Sequence, residues 1–118
     1  AVEIVFKGAK GDLMEVVGNL LDNAAKYGGG LIRIVLSNEV EHKQEGDQLR
    51  CRIVVEDNGQ GIGEDAIADI LRRGVRADQK QQGQGIGLAM VVDIIDQYEG
   101  QLHLGKSNLG GLKVEIVI

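Results

Sequence analysis

Asp57 ends the apolar run Ile53-Val54-Val55-Glu56 and opens a loop with glycine at every second position, Gly59, Gly61 and Gly63. Upstream, Leu49, Cys51, Ile53 and Val55 alternate with Arg50, Arg52, Val54 and Glu56, the period-two pattern of a half-buried strand. The same parity carries Asp57 to the inward face. A carboxylate on the apolar side of a sheet is costly unless something donates hydrogen bonds to it, and a ligand is one such donor. The glycines supply backbone that reaches positive φ and lies close to whatever Asp57 holds. A strand that merely ends in an Asx-type turn asks for the same Asp-Asn-Gly, so the neighbouring motifs decide between the two readings.

Two other groups of residues carry chemistry. Glu15, Asn19 and Asn23 are spaced i, i+4, i+8, with Lys26 three residues on. On a helix these four share a sector of about 80°. Any surface helix has a polar stripe, but Asn is a poor helix former and a solvated face is better served by Ala, Glu or Lys. A neutral amide oxygen at Asn23 suits a hard cation such as magnesium, held together with phosphates that it does not repel. The second group is Gly83-Gln84-Gly85-Ile86-Gly87-Leu88-Ala89, which leads into a helical pattern. A glycine turn there presents backbone N–H groups and a positive dipole end to an anion.

Two better-known glycine motifs do not fit. Neither glycine loop has the dinucleotide fingerprint, because its third glycine comes two residues after the second instead of three. Gly100-Gln101-Leu102-His103-Leu104-Gly105-Lys106-Ser107 matches the Walker A pattern letter for letter. Its context is wrong: a helical pattern precedes Gly100, the middle alternates like a strand, and Asn108 to Gly111 is a turn where a helix is required.

The elements that position these residues follow from periodicity. Val2, Ile4 and Phe6 alternate as a first strand, closed by Gly8 and Gly11. Asp12 suits an N-cap with Glu15 three on, and a helix runs to Tyr27 with Leu13, Val16, Val17, Leu20 and Ala24 on its apolar face. Strands 31–37 and 49–57 follow, joined by a polar loop, residues 39–48, that contains His42. A short helix over 64–71 leads to residues 72–85, which have little to bury. A second long helix spans 86–98 with Leu88, Val91, Val92 and Ile95 at core spacing. Leu102 and Leu104, then Leu112, Val114, Ile116 and Ile118, supply two final strands, with His103 outward. Such clean alternation leaves one sheet face exposed, so the helices cover the other. The fold class is α/β, a two-layer sandwich with a mixed five-stranded sheet under about three helices.

Composition sets the outer bounds. The 118 residues make one domain, 43% apolar and 26% charged. A net charge of −5 with no basic stripe argues against nucleic acid as a partner. The single Cys51 lies at an inward position, as core packing in a reducing compartment, and a thiolate metal site is unavailable. No run is long and apolar enough to span a membrane. The chain opens on strand-like residues without an initiator Met, as a fragment of a larger protein would.

Together the motifs resemble the ATP-binding catalytic domain of sensor histidine kinases, in the superfamily that includes gyrase B, Hsp90 and MutL. Gly18-Asn19-Leu20-Leu21-Asp22-Asn23-Ala24-Ala25-Lys26-Tyr27 resembles the N box, Asp57 to Gly61 the first glycine box, and Gly83 to Ala89 the second. Arg73-Gly74, Gln97-Tyr98-Glu99-Gly100 and Leu109-Gly110-Gly111 narrow the resemblance to one sensor within the family. The resemblance implies a Bergerat-type fold in which Asp57 accepts a hydrogen bond from the adenine amino group. It implies that Asn23, assisted by Asn19, ligates Mg2+, that Lys26 contacts phosphate, and that Tyr27 packs near adenine. Asn19, Asn23 and Lys26 are then the catalytic set. Gly59 and Gly61 of the first box, with Ile62 just after it, would line the nucleotide, as would Gly85, Gly87 and Leu88 of the second. Residues 60–84 become an ATP lid with Arg73, Arg76 and Gln84 as phosphate contacts. Leu71 stands where the family has Phe, and Lys80 is the only cation of 79–82.

Hydrolytic members of the superfamily carry a water-activating Glu where this chain has Asn19. The resemblance therefore implies transfer of the γ-phosphate of ATP to a histidine on a separate dimerisation domain, and from there to a response regulator. Neither His42 nor His103 has the setting of that phosphoacceptor. The parent protein would be a membrane-anchored homodimer of the bacterial inner membrane, with this part cytoplasmic and monomeric by itself. Two alternatives remain open at this point: a hydrolytic ATPase of the same superfamily, and a nucleotide-binding module without kinase activity.

Overall fold

The computed structural model describes residues 3–27, 29–60 and 86–118. In chain order these form helix α1 (Lys10–Tyr27), strands β1 (Ile32–Lys43) and β2 (Gly46–Asp57), helix α2 (Ile86–Gln97), and strands β3 (Gln101–Lys106) and β4 (Leu112–Val117). The strands make one sheet in the order β1-β2-β4-β3, and every neighbouring pair is antiparallel. Both helices lie on one face. Val16, Leu20 and Ala24 of α1 and Val91, Ile94 and Ile95 of α2 pack on Cys51, Ile53, Val55, Val114 and Ile116 of the sheet. Each of the larger side chains, fully buried, contributes roughly 1.5–3 kcal/mol. Cys51 belongs to this core, and burial pushes its thiol pKa up.

Several expectations about the strands and the helix ends are corrected. Among the described residues the sheet has four strands rather than five, is antiparallel rather than mixed, and carries two helices. The expected third helix, 64–71, lies outside them. Residues 3–7 do not pair as a strand. Ile4 and Phe6 still pack on the core, and the Asn38 side-chain amide donates to the Val5 carbonyl at 3.2 Å. Alternation reports which side of a segment is buried, and here side-chain packing satisfies it without a backbone ladder.

The polar stretch 39–48 is mostly strand. β1 and β2 pair as far as Lys43 and Gly46 around Gln44-Glu45, with Gly46 at φ 128°. The far end of a two-stranded ribbon has both faces in water, so polar residues such as the His42–Asp47 pair suit it. Finally, α1 starts at Lys10, two residues before the expected cap. The Asp12 N–H bonds the Ala9 carbonyl, while its carboxylate accepts from the Tyr98 hydroxyl at 2.6 Å. Asp12 thus ties the start of α1 to the end of α2 and stays in the first turn, where the helix dipole favours it. In α2, Ile94 takes the core place expected of Val92, which is half-buried.

The end of α2 is built unusually. Gly100 N–H bonds Ile95 O at 2.9 Å and Glu99 N–H bonds Asp96 O at 3.1 Å, a Schellman motif with a non-glycine residue, Glu99, at φ 54°. Glycine stands one position later, because a Cβ on Gly100 would collide with the Val117 carbonyl. Buried Arg50 supports the turn by donating to Tyr98 O at 2.8 Å and to Glu41 at 3.2 Å. Relief of the left-handed strain makes Glu99→Gly stabilising by up to about 1 kcal/mol. A urea midpoint that does not rise would contradict this.

Candidate functional site

Asp57 is the last residue of β2, pairs with Ile32, and is 6% exposed on the helix-bearing face. The Asx-turn reading of its sequence is realised, on one of its two oxygens. Oδ1 accepts the Gly59 N–H at 2.9 Å, which is the Asx turn, and the Leu112 N–H at 3.2 Å. Among the described residues no donor occupies Oδ2. The carboxylate is therefore oriented by the backbone through Oδ1.

The neighbouring elements are fastened to the same strand end. Asn58 N–H bonds Leu31 O at 3.3 Å, and Asn58 Oδ1 accepts the Leu31 N–H at 3.0 Å. A Cβ on Gly29 would lie 2.8 Å from Asn58 Oδ1, so the chain leaving α1 passes as close as glycine permits. These contacts hold the chain that follows α1 beside the Asp57 loop. On the other side, the turn between β3 and β4 closes over Asp57. The Gly111 N–H bonds the Asp57 carbonyl at 3.0 Å, and a Cβ on Gly111 would overlap Asp57 Oδ1.

On α1, the Asn19 amide donates to the Glu15 carbonyl at 2.8 Å and to Glu15 Oε2 at 3.1 Å, which turns its nitrogen back along the helix. Oδ1 of Asn19 is thereby the atom left to accept or ligate. Asn23, one turn on, is half-buried next to buried Ala24. Two neutral amide oxygens one turn apart are a hard, uncharged donor set, which fits a magnesium ion shared with phosphates. Among the described residues no group of three or more acidic, His or Cys side chains offers a metal site.

The remaining expected site residues fall into three groups. Lys26 and Tyr27 end α1 and Gly87 and Leu88 open α2, placed here by the helical backbone alone. Gly61, Ile62, Arg73, Arg76, Gln84 and Gly85 lie outside the described residues, as does all of the expected lid except Gln60. Gly59 is in place as a donor to Asp57.

Glu56 and Ser107 escaped the sequence reading. Glu56 points to the face opposite Asp57 and is 6% exposed. Its Oε2 accepts Arg33 Nη2 at 2.8 Å and Nε at 3.1 Å, and its Oε1 accepts the Ser107 hydroxyl at 2.8 Å. No local spacing connects positions 56 and 107. Ser107 instead drew notice as the end of the Walker-like string, which the structure places on a strand after a helix, as its context implied.

First Arg33, then Ser107, holds the Glu56 carboxyl below its usual pKa. The stabilisation is complete above the unfolded value of about 4.3 and is lost as pH falls through the lower folded value. The difference in urea midpoint between wild type and Glu56→Gln should close on going from about pH 6 to pH 3. An equal difference at both pH values would contradict the ion-pair account.

This fold and this strand-end site define a class of protein. The chain belongs to the histidine kinase-, DNA gyrase B- and HSP90-like ATPase family, whose model matches residues 8–118. Within it, the chain is 42% identical over 115 residues to the sensor protein PhoQ of Escherichia coli strain K12. It is 43% identical over the same length to the virulence sensor histidine kinase PhoQ of Salmonella typhimurium strain LT2. Both alignments cover 98% of this chain and 22% of the relative, so the chain spans about a fifth of the length of those proteins. Among solved structures, the ATP binding domain of PrrB from Mycobacterium tuberculosis matches at 25% identity with TM-score 0.66, over 98% of this chain and 71% of that one. The histidine kinase domain of the E. coli osmosensor EnvZ matches at 33% identity with TM-score 0.61, over 91% and 63%.

Proposed function

We propose that this chain is the ATP-binding catalytic domain of a PhoQ-like sensor histidine kinase, and that Asp57 recognises adenine. The carrying observation is the division of labour on its carboxylate. With Oδ1 held by two backbone amides, Oδ2 meets the exocyclic amino group of adenine as a hydrogen-bond acceptor. Guanine has a carbonyl at that position and would meet it acceptor to acceptor. Asn23 and Asn19 hold magnesium, which when bound neutralises phosphate charge. Lys26 contacts the phosphates and Tyr27 packs near the base. Gly59, Gly61, Ile62, Gly85, Gly87 and Leu88 line the nucleotide, with Arg73, Arg76 and Gln84 at its phosphates.

The reaction is transfer of the γ-phosphoryl group. The bond from γ-phosphorus to the β–γ bridging oxygen breaks, a P–N bond forms to an imidazole nitrogen, and ADP leaves. Asn19 cannot take a proton from water, so ATP persists until the histidine of the dimerisation domain arrives. That domain belongs to the parent protein, a membrane-anchored homodimer that passes the phosphoryl group to a response regulator. This reading is tested by incubating the chain with γ-labelled ATP, magnesium and a separately supplied dimerisation domain. Acid-labile, base-stable label on that domain is expected. Release of free phosphate at the same rate with or without it would instead favour a hydrolytic ATPase.

A further inference from the structure

We propose that Ser107 is a positioning residue for base selection, acting through the turn that clamps Asp57. The proposal rests on the reading of Asp57 as the adenine acceptor and adds what aims it. β2 ends with two carboxylates pointing to opposite faces, Glu56 outward and Asp57 inward. The turn from Ser107 to Gly111 grips both. On the outer face the Ser107 hydroxyl donates to Glu56 Oε1 at 2.8 Å and accepts the Leu109 N–H at 2.9 Å. Ser107 is 8% exposed, so these bonds have little competition from water. Its backbone closes the turn, with the Ser107 N–H on Gly111 O at 2.8 Å and the Gly110 N–H on Ser107 O at 3.0 Å.

Across the strand end, the other side of the turn delivers the Gly111 N–H to the Asp57 carbonyl and the Leu112 N–H to Oδ1. Arg33 fixes Glu56 from β1. The orientation of Oδ2 is thus set by a path from Arg33 through Glu56 and Ser107 to the Gly111 and Leu112 amides. A hydrogen bond read through a single oxygen loses strength steeply with angle, so a small rotation of this turn costs selectivity before it costs the fold.

The path predicts a signature that a stabilising residue alone would not give. In Ser107→Ala the backbone bonds of the turn remain, but Glu56 Oε1 and the Leu109 N–H lose their shared partner. ATP affinity, measured calorimetrically with magnesium, should fall about tenfold, the scale of one misaligned charge-assisted hydrogen bond. Affinity for inosine triphosphate, which has a carbonyl in place of the amino group, should change less than twofold. Preference for ATP over inosine triphosphate therefore drops about tenfold, and Ser107→Thr, which keeps the hydroxyl, should restore it. Should Ser107→Ala not fold, Glu56→Gln provides the second variant, since its amide retains an acceptor for the hydroxyl while losing the charge for Arg33. It should lower the same preference with a smaller change in affinity. An equal loss for both nucleotides, or an unchanged ATP affinity, would overturn the positioning role. A wild-type chain that binds both nucleotides equally would overturn the adenine assignment itself.

Discussion

Asp57→Asn is expected to reduce ATP affinity on the order of 100-fold, because the fold dictates which way the new amide points. Two backbone N–H groups, from Gly59 and Leu112, converge on the Oδ1 position, so the amide oxygen must settle there. The NH2 group is then forced into the Oδ2 position, donor against the donor of adenine. A hydrogen bond to a charged group is worth about 1.5–3 kcal/mol, and replacing it with a donor–donor contact exceeds that loss. Each 1.4 kcal/mol is about tenfold in affinity. The forced orientation adds a sharper consequence. Inosine triphosphate offers an acceptor where ATP offers a donor, so its affinity should hold or rise in the variant while that of ATP collapses. Titration of both nucleotides checks this, and an ATP affinity unchanged by the substitution would remove Asp57 from the site.

Asn23→Ala should abolish the magnesium dependence of nucleotide binding and cut phosphoryl transfer by at least about 100-fold, given that even residues that only orient metal ligands typically cost 10–100-fold. Stability should move the other way. Asn is a poorer helix former than Ala, so the variant should gain roughly half a kcal/mol if Asn23 has no structural partner in α1. Loss of function with a raised thermal midpoint separates a ligand from a structural residue. Retained magnesium dependence would place the ion on other groups. Asn19→Ala should have a weaker effect of the same kind, since the bonds of its amide to Glu15 contribute to the helix as well.

The parts of the fold that sequence made legible are those fixed by periodicity. Val16, Leu20 and Ala24 on one helix and Ile53, Val55, Val114 and Ile116 on the strands all reach the core from pattern alone. Asp57 was legible for the same reason, because parity carried it inward. Pairing is another matter. Residues 3–7 have strand periodicity without a ladder, and 39–48 have a ladder despite polar composition, since periodicity records burial and the far end of a hairpin has no buried side.

Ser107 and Glu56 were illegible for a deeper reason. Their contact spans 51 positions and depends on how β4 returns beside β2. The double glycine at 110–111 was the available signal: Gly110 has φ 111°, and Gly111 has no room for a Cβ against Asp57. Two glycines in a hairpin turn suggest a close approach, but nothing local says to what.

The most direct measurement is calorimetric titration of this chain with a non-hydrolysable ATP analogue, with and without magnesium, alongside the corresponding GTP analogue. The account requires micromolar-range binding of the adenine nucleotide, tighter with magnesium, and at least about tenfold weaker binding of the guanine nucleotide, the factor set by one lost hydrogen bond to a carboxylate. Equal binding of the two nucleotides, or binding of neither, would contradict it.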